Sequence, residues 1–115
     1  MAKVLIIDDD SQYRDIVTEI LNEAKIETVS AVNGEDALII LKNTPDIDLI
    51  LLDIFMPQMD GLAFYYHLQN TILKKIPIMV LTNSLLTSYP DGIGKVFIKS
   101  NTTPDQILTA VQSYL

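Results

Sequence analysis

Side chains that could bind a metal ion and a phosphoryl group follow four short apolar runs in this sequence. Runs this short, without polar alternation, are typical of strands buried on both faces of a parallel sheet. The residues that follow them are Asp8 and Asp9, Asp53, Thr82 and Lys99. Ligands bind beyond the carboxyl ends of parallel strands, so we expect these residues to meet. Clustered carboxylates repel each other, and the set therefore predicts a site for a divalent cation and a phosphoryl group.

The central candidate is Asp53, whose carboxylate could attack a phosphoryl group and form a labile acyl phosphate. Mg²⁺ prefers oxygen ligands and keeps some of its waters. We expect Asp9 and Asp53 to bind it directly and Asp8 to bind it through water. The backbone carbonyl of Phe55 could complete the protein ligands. The lysine and the threonine of the same set can pair with phosphate oxygens, the first as a point charge and the second through its hydroxyl.

Strand and helix patterns alternate five times along the chain, which predicts an α/β fold. The predicted strands are Lys3 to Ile7, Glu27 to Val32, Leu49 to Leu52, Ile78 to Leu81 and Val96 to Ile98. Right-handed crossovers between them give a doubly wound, five-stranded parallel sheet in the order 2-1-3-4-5. In that order the switch point lies between strands one and three, where the aspartates stand.

Helical spacing of apolar residues predicts the elements between the strands. The expected helices run from about Ser11 to Ala24, from near Gly34 to Pro45, from about Leu62 to Gln69, and onward from Thr103. Ser11 is predicted to cap the first helix and Thr103, with Pro104 behind it, the last. Residues 83–95 should form only a short or irregular fourth helix, because Pro90 and nearby glycines would stop it.

The composition limits the classes of protein to which the chain can belong. Its 115 residues, 49% of them hydrophobic, suit one compact domain over residues 1–115. A net charge of -7 argues against direct binding of nucleic acid or of an anionic membrane. The absence of cysteine excludes disulfides and thiol catalysis. No apolar run approaches the length of a membrane span, so we expect a soluble, cytoplasmic protein.

Four segments together resemble the response regulator receiver domain (CheY-like) of two-component signal transduction. They are V-L-I-I-D-D-D-S-Q-Y-R, L-I-L-L-D-I-F-M-P-Q-M-D-G, M-V-L-T-N and V-F-I-K-S. The resemblance implies that Asp8 and Asp9 bind Mg²⁺ and that Asp53 accepts phosphate from a sensor histidine kinase or a phosphotransfer protein. It further implies that Thr82 and Lys99 sense the phosphate, which would switch binding to a downstream protein target or output domain.

The sequence departs from that family's pattern in the region that usually performs the switch. Ser100 stands where a proline usually follows the lysine, which predicts a trans peptide bond and some displacement of Lys99. Val96 replaces a common aromatic, and Asn83 is larger than the usual residue. The short segment at residues 83–95 lies on the family's usual output face. These departures concern switching more than phosphorylation.

Three kinds of function fit this sequence to different degrees. The first is a phospho-accepting switch of a two-component system or phosphorelay, which is not an enzyme beyond its own phosphorylation and dephosphorylation at Asp53. The second is a degenerate receiver that binds partners or dimerises without phosphate. The third, an aspartyl-nucleophile phosphatase, is disfavoured because the motif after strand one is D-D-D-S and no cap domain is present. The resemblance also allows a homodimer, and it does not separate a stand-alone regulator from part of a longer protein.

Overall fold

Five parallel strands form one sheet whose order brings the aspartates together. The computed structural model describes residues 1–56, 59–71 and 75–115. The strands are Lys3–Ile7 (β1), Glu27–Ala31 (β2), Leu49–Leu52 (β3), Ile78–Thr82 (β4) and Val96–Ile98 (β5). They pair in parallel in the order β2-β1-β3-β4-β5. The predicted fold class and strand order are confirmed.

Helices cover both faces of the sheet and explain why the inner strands are mostly apolar. They are Ser11–Glu23 (α1), Gly34–Asn43 (α2), Gly61–Gln69 (α3) and Pro104–Gln112 (α4). Residues of α1 and α4 share one buried layer with the sheet, and residues of α2 and α3 share the other. Every residue of β3 and β4 is buried, as a strand between two helical layers requires. None of the helices in the described ranges is long and apolar enough to cross a membrane.

Helix α1 begins one residue earlier than its predicted cap implies. Asp10, not Ser11, is the N-cap, and its Oδ1 accepts hydrogen bonds from the backbone N–H groups of Gln12 (3.0 Å) and Tyr13 (3.3 Å). Both serine and aspartate can satisfy the free N–H groups of a first turn, so residue type alone did not separate them. The predicted cap of α4 is confirmed, because Thr103 and Gln106 form a reciprocal capping box.

The segment between β4 and β5, residues 83–95, forms turns and no helix. The prediction of a short or irregular helix there therefore overstated its regularity. The segment stays attached through Ile93, which is buried, and through a hydrogen bond from the Gly94 N–H to the Ile78 carbonyl (2.9 Å). Leu86 and Tyr89 pack against the α2–α3 layer in place of a helical face.

Candidate functional site

The two buried aspartates lie beside each other because their strands are neighbours. Asp8 directly follows β1 and Asp53 directly follows β3. The Asp53 N–H donates to the Ile7 carbonyl (3.0 Å) and the Asp8 N–H to the Ala31 carbonyl (3.1 Å), which extends the sheet pairing past both strand ends. Asp8 is 3% and Asp53 4% exposed. The sheet thus holds two carboxylates rigidly in one place.

The three aspartates that follow β1 differ in their positions and contacts. Asp8 lies in the site, and its Oδ1 accepts a hydrogen bond from the Asp10 N–H (3.0 Å). Asp10 caps α1, as described above. Asp9 is exposed and contributes a carboxylate oxygen to the same cluster as Asp8 and Asp53, within 4.8 Å of the others. The Arg14 guanidinium donates to the Asp8 carbonyl (2.6 Å) and fixes the loop from the helix side.

Lys99 reaches the carboxylates from the end of β5. Its Nζ lies 2.5 Å from Asp8 Oδ2 and 3.3 Å from Asp53 Oδ2, and its side chain is 7% exposed. The described residues contain no cis peptide bond, so the predicted trans bond before Ser100 is confirmed. Despite that bond, Lys99 is not displaced out of contact with the carboxylates. The site therefore has an internal counter-ion.

Burial and ion pairing oppose each other at this cluster. Burial raises the pKa of Asp8 above its ordinary value, and it outweighs the hydrogen bonds from Lys99 and the Asp10 N–H, which lower it. Burial would lower the pKa of Lys99, but its interactions with Asp8 and Asp53 outweigh burial and raise it. One ammonium faces two buried carboxyl groups, and this keeps Lys99 charged. The single positive charge of Lys99 is shared between Asp8 and Asp53.

Two buried hydroxyl groups at the site lack hydrogen-bond partners among the described residues. Thr82 Oγ1, at the end of β4, is one, and its residue is fully buried. The hydroxyl of Tyr13, in the first turn of α1, is the other. The Tyr13 ring also lies under the Lys99 ammonium, with Nζ 4.4 Å from the ring centroid. Tyr13 was not among the predicted site residues, although an aromatic residue in the first turn after β1 must lie near the strand ends.

The loop after Asp53 is held by the start of α3. The Asp60 side chain accepts a hydrogen bond from the Ala63 N–H (2.9 Å), and the Gly61 N–H donates to the Ile54 carbonyl (2.9 Å). A Cβ at Gly61 would lie 2.6 Å from the Asp53 carbonyl oxygen, so this approach requires glycine. The D-G pair of the sequence motif thus positions the backbone of Asp53. Pro57 of the same motif lies outside the described residues.

The remaining predicted residues surround the cluster. Phe55 is exposed, and its N–H donates to Asp53 Oδ1 (3.3 Å); a metal ligand role for its carbonyl stays a prediction. Asn83 is exposed beyond β4, and Val96 is half-buried against the α2–α3 layer. Ser100 is exposed in the 3₁₀ turn Lys99–Asn101. Switching roles for these three residues also stay predictions.

Comparison with known proteins identifies the family. The sequence pattern of the response regulator receiver domain matches residues 4–111. The chain belongs to this family. The chain is 31% identical over 97 residues to the two-component response regulator-like protein PRR37 of Oryza sativa subsp. indica. The alignment covers 83% of this chain and 12% of that protein. The transcriptional regulatory protein CpxR of Escherichia coli (strain K12) is 34% identical over 82 residues, covering 71% and 34%.

Solved structures extend the likeness to the whole receiver domain. Chemotaxis protein CheY4 of Vibrio cholerae shares 29% identity with a TM-score of 0.87, and the alignment covers 100% of this chain and 99% of that one. In contrast, the chain spans 12% and 34% of the lengths of PRR37 and CpxR. The receiver domain is thus the part that these longer proteins share with it.

The oxygen atoms at the carboxyl edge of the receiver domain suit a hard metal ion. Asp8, Asp9 and Asp53 can each offer one carboxylate oxygen to a common point. Oxygen-only donor sets of this kind bind Mg²⁺ and similar cations rather than thiophilic metals. Because Lys99 contacts two of the three carboxylates, an entering cation would share these oxygens with the ammonium.

Proposed function

We propose that this receiver domain accepts a phosphoryl group on Asp53, with Mg²⁺ bound by Asp8, Asp9 and Asp53, and thereby changes its binding to a protein partner. The donor would be a sensor histidine kinase or a phosphotransfer protein. The recipient of the signal would be a downstream target or an output domain. The observation that carries the proposal is the position of the buried Asp53 carboxylate between two aspartates and a lysine at one edge of the sheet.

The chemistry follows from the residues at that edge. A carboxylate oxygen of Asp53 would form a bond to phosphorus while the bond from phosphorus to the donor histidine nitrogen breaks, and the electron pair of that bond stays on the imidazole. Mg²⁺, when bound, supplies positive charge against the phosphate and carboxylate oxygens. Lys99 supplies a second positive charge from within the protein, at 3.3 Å from Asp53.

Thr82 supports the same reaction from β4. Its hydroxyl is buried and has no partner in the described part of the chain, although leaving such a group unpaired costs free energy. A phosphoryl oxygen arriving on Asp53 would give the hydroxyl an acceptor. The cost of the unpaired group before phosphorylation would then become a preference for the phosphorylated state.

The turnover expected of this site is limited to its own aspartate. Water attacking the phosphoryl group would release inorganic phosphate and return Asp53 to its carboxylate form. We therefore propose a switch rather than an enzyme that acts on a separate substrate. A phosphate-independent binding module is the main competing function, and the test below separates the two.

The test is intact-protein mass after incubation with acetyl phosphate and Mg²⁺, in which acetate is the leaving group. We expect the native chain to gain one phosphoryl group, and we expect the gain to vanish in Asp53→Ala and in the presence of a chelator. The matched control is Asp91→Ala, which changes an exposed aspartate outside the acidic cluster, and it should be labelled like the native chain. A folded native chain that gains nothing from acetyl phosphate or from a panel of histidine kinases would contradict the proposal and favour the binding module.

A further inference from the structure

The Lys99 ammonium has two kinds of neighbour, and they differ in what phosphorylation would do to them. The first kind is the pair of carboxylates, Asp8 and Asp53. Under the proposed function, the oxygens of both would be shared with a metal ion, and one oxygen of Asp53 would carry the phosphoryl group. The second kind is the face of the Tyr13 ring, 4.4 Å from Nζ. The ring offers no oxygen to a metal, so its contact with Lys99 can persist while the ion pairs are exchanged.

Tyr13 is well placed to act as a fixed support. It lies in the first turn of α1, where its N–H is held by the Asp10 cap at 3.3 Å. Its ring is half-buried and packs against the layer formed by α1, α4 and the sheet. Burial also raises the pKa of Tyr13, so the ring next to the ammonium is a neutral phenol. A cation over an aromatic face is attracted by the ring quadrupole, and more strongly where water is excluded.

The hydroxyl of Tyr13 does not take part in this contact. It is buried without a partner in the described residues, and it gives the side chain no polar anchor there. A cavity of about 10 Å³ lies beside the ring and is lined in part by Tyr13, Asp8 and Asp53. This space is about that of one water molecule and far too small for a lysine side chain to withdraw into. What remains for Tyr13 to contribute is the ring itself.

We infer that Tyr13 is a positioning residue for Lys99, and that its ring keeps the ammonium at the phosphoryl site when the carboxylates give up their ion pairs. The inference rests on the proposed function for its consequence, but the contact itself can be measured without phosphorylation. The Tyr13 ring would support Lys99 at its ammonium end. This chain has Ser100 after the lysine, where the family usually has a proline.

The test compares Tyr13→Phe, which keeps the ring, with Tyr13→Leu, which keeps an apolar side chain and removes the ring. Tyr66→Leu, at an exposed tyrosine of α3, is the matched control. The first readout is the ¹H–¹³C NMR signal of the Lys99 ε-methylene group, assigned by its loss in Lys99→Met. We expect an upfield ring-current shift in the native chain, in Tyr13→Phe and in Tyr66→Leu, and its loss in Tyr13→Leu.

The second readout is the rate of phosphorylation by acetyl phosphate at saturating Mg²⁺, with the Mg²⁺ affinity of each variant measured separately. We expect Tyr13→Leu to be slower by about tenfold and Tyr13→Phe to stay within about twofold of the native rate. In a Lys99→Met background, Tyr13→Leu should cause no further loss, because Tyr13 acts through the lysine. A purely structural role would slow the reaction equally in both backgrounds.

The outcomes separate this inference from the proposed function. An unshifted Lys99 signal in the native chain overturns the inference whatever the chemistry, and this result does not depend on whether Tyr13→Leu folds. A native rate in Tyr13→Leu, or an additive loss in Lys99→Met, overturns it as well. If the native chain takes no phosphoryl group, the proposed function fails, and the ring-current shift alone decides whether Tyr13 positions Lys99.

Discussion

Thr82 has a buried hydroxyl whose cost in stability would, under the proposed function, be offset when the phosphoryl group arrives. Valine has nearly the same shape and lacks the hydroxyl, which is unpartnered among the described residues. We expect Thr82→Val to raise the free energy of unfolding by about 1 kcal/mol in urea titrations without phosphate. The exposed Thr87→Val is the control and should change it little. A marked loss of stability in Thr82→Val would show that the hydroxyl is bonded after all.

Asp8 makes stability depend on pH in a direction set by its burial. Its pKa is raised above 3.8, so between that value and the folded pKa the folded state holds more protons than the unfolded state. Stability therefore falls as the pH rises through this window, and the cost is fully present above the folded pKa. Asp8→Asn removes the cost and leaves Lys99 paired with Asp53 and stacked on Tyr13.

With metal removed by a chelator, we expect Asp8→Asn to unfold at a higher urea concentration than the native chain near neutral pH. The difference should shrink as the pH is lowered through the folded pKa of Asp8. Asp91→Asn, at an exposed site, provides the control and should unfold at about the same urea concentration as the native chain. A difference that grows on acidification would contradict the assignment of the cost to the buried carboxylate.

The sequence predicted the site at this scale only where residue type and strand position agreed. Asp8, Asp53 and Lys99 each follow an apolar run, and the order of the strands in the sheet brings the ends of these runs together. Tyr13 was missed because a tyrosine within a helical pattern is typical of core packing. Its role depends on the direction from which Lys99 arrives, and that direction is a property of the folded β5 and not of the local sequence.

At the scale of elements, the start of α1 tests how much one cap contributes. Asp10→Ala removes the acceptor of two backbone N–H groups and should cost about 1 kcal/mol of unfolding free energy, measured by urea titration. Ser11→Ala changes the neighbouring residue, which lies at the first helical position, and should cost much less. Equal losses in the two variants would return the cap to Ser11. Asp10→Ala should also weaken the support of Tyr13.

The β4–β5 segment depends on close contacts between glycine and tyrosine instead of on helical hydrogen bonds. A Cβ added at Gly92 would collide with the hydroxyl oxygen of Tyr65, which is buried on α3. We expect Gly92→Ala to lower the free energy of unfolding by about 1–2 kcal/mol. In a Tyr65→Phe background the loss should be smaller, because the colliding atom is gone. A double-mutant cycle by urea unfolding measures this, and strict additivity would contradict it.

Element bounds were predictable where burial set them and less so where turns did. The apolar character of Leu49–Leu52 and of Ile78 to Leu81 follows from helices on both faces, and the predicted bounds of β3 and β4 differ from the structure by at most one residue. The segment 83–95 was harder, since Leu85 and Leu86 suggest a helix while the nearby glycines suggest a stop. In the structure no helix forms in this segment. Leu85 is exposed, and Leu86 packs against the α2–α3 layer.

At the scale of the whole molecule, the acidic cluster should link stability to magnesium. A cation that binds only the folded state stabilises it by about 1.4 kcal/mol when its free concentration is about ten times its Kd. We therefore expect Mg²⁺ to raise the melting temperature of the native chain, measured calorimetrically at constant ionic strength. Asp53→Asn should lose most of this increase, and Asp91→Asn should keep it. An equal increase in all three would indicate general screening of the net charge.

The Lys99 ion pairs also make the order of folding matter. The ammonium joins Asp53 across 46 positions of sequence and comes from the last strand, which lies at the sheet edge. A chain still lacking β5, as during synthesis, carries Asp8 and Asp53 at the ends of β1 and β3 without the lysine that pairs with them. Burying uncompensated charge is costly, so the partial sheet is disfavoured until its final strand arrives. Because Lys99 pairs with the aspartate that follows β1, we expect the first and last strands of the sheet to form in one cooperative folding transition.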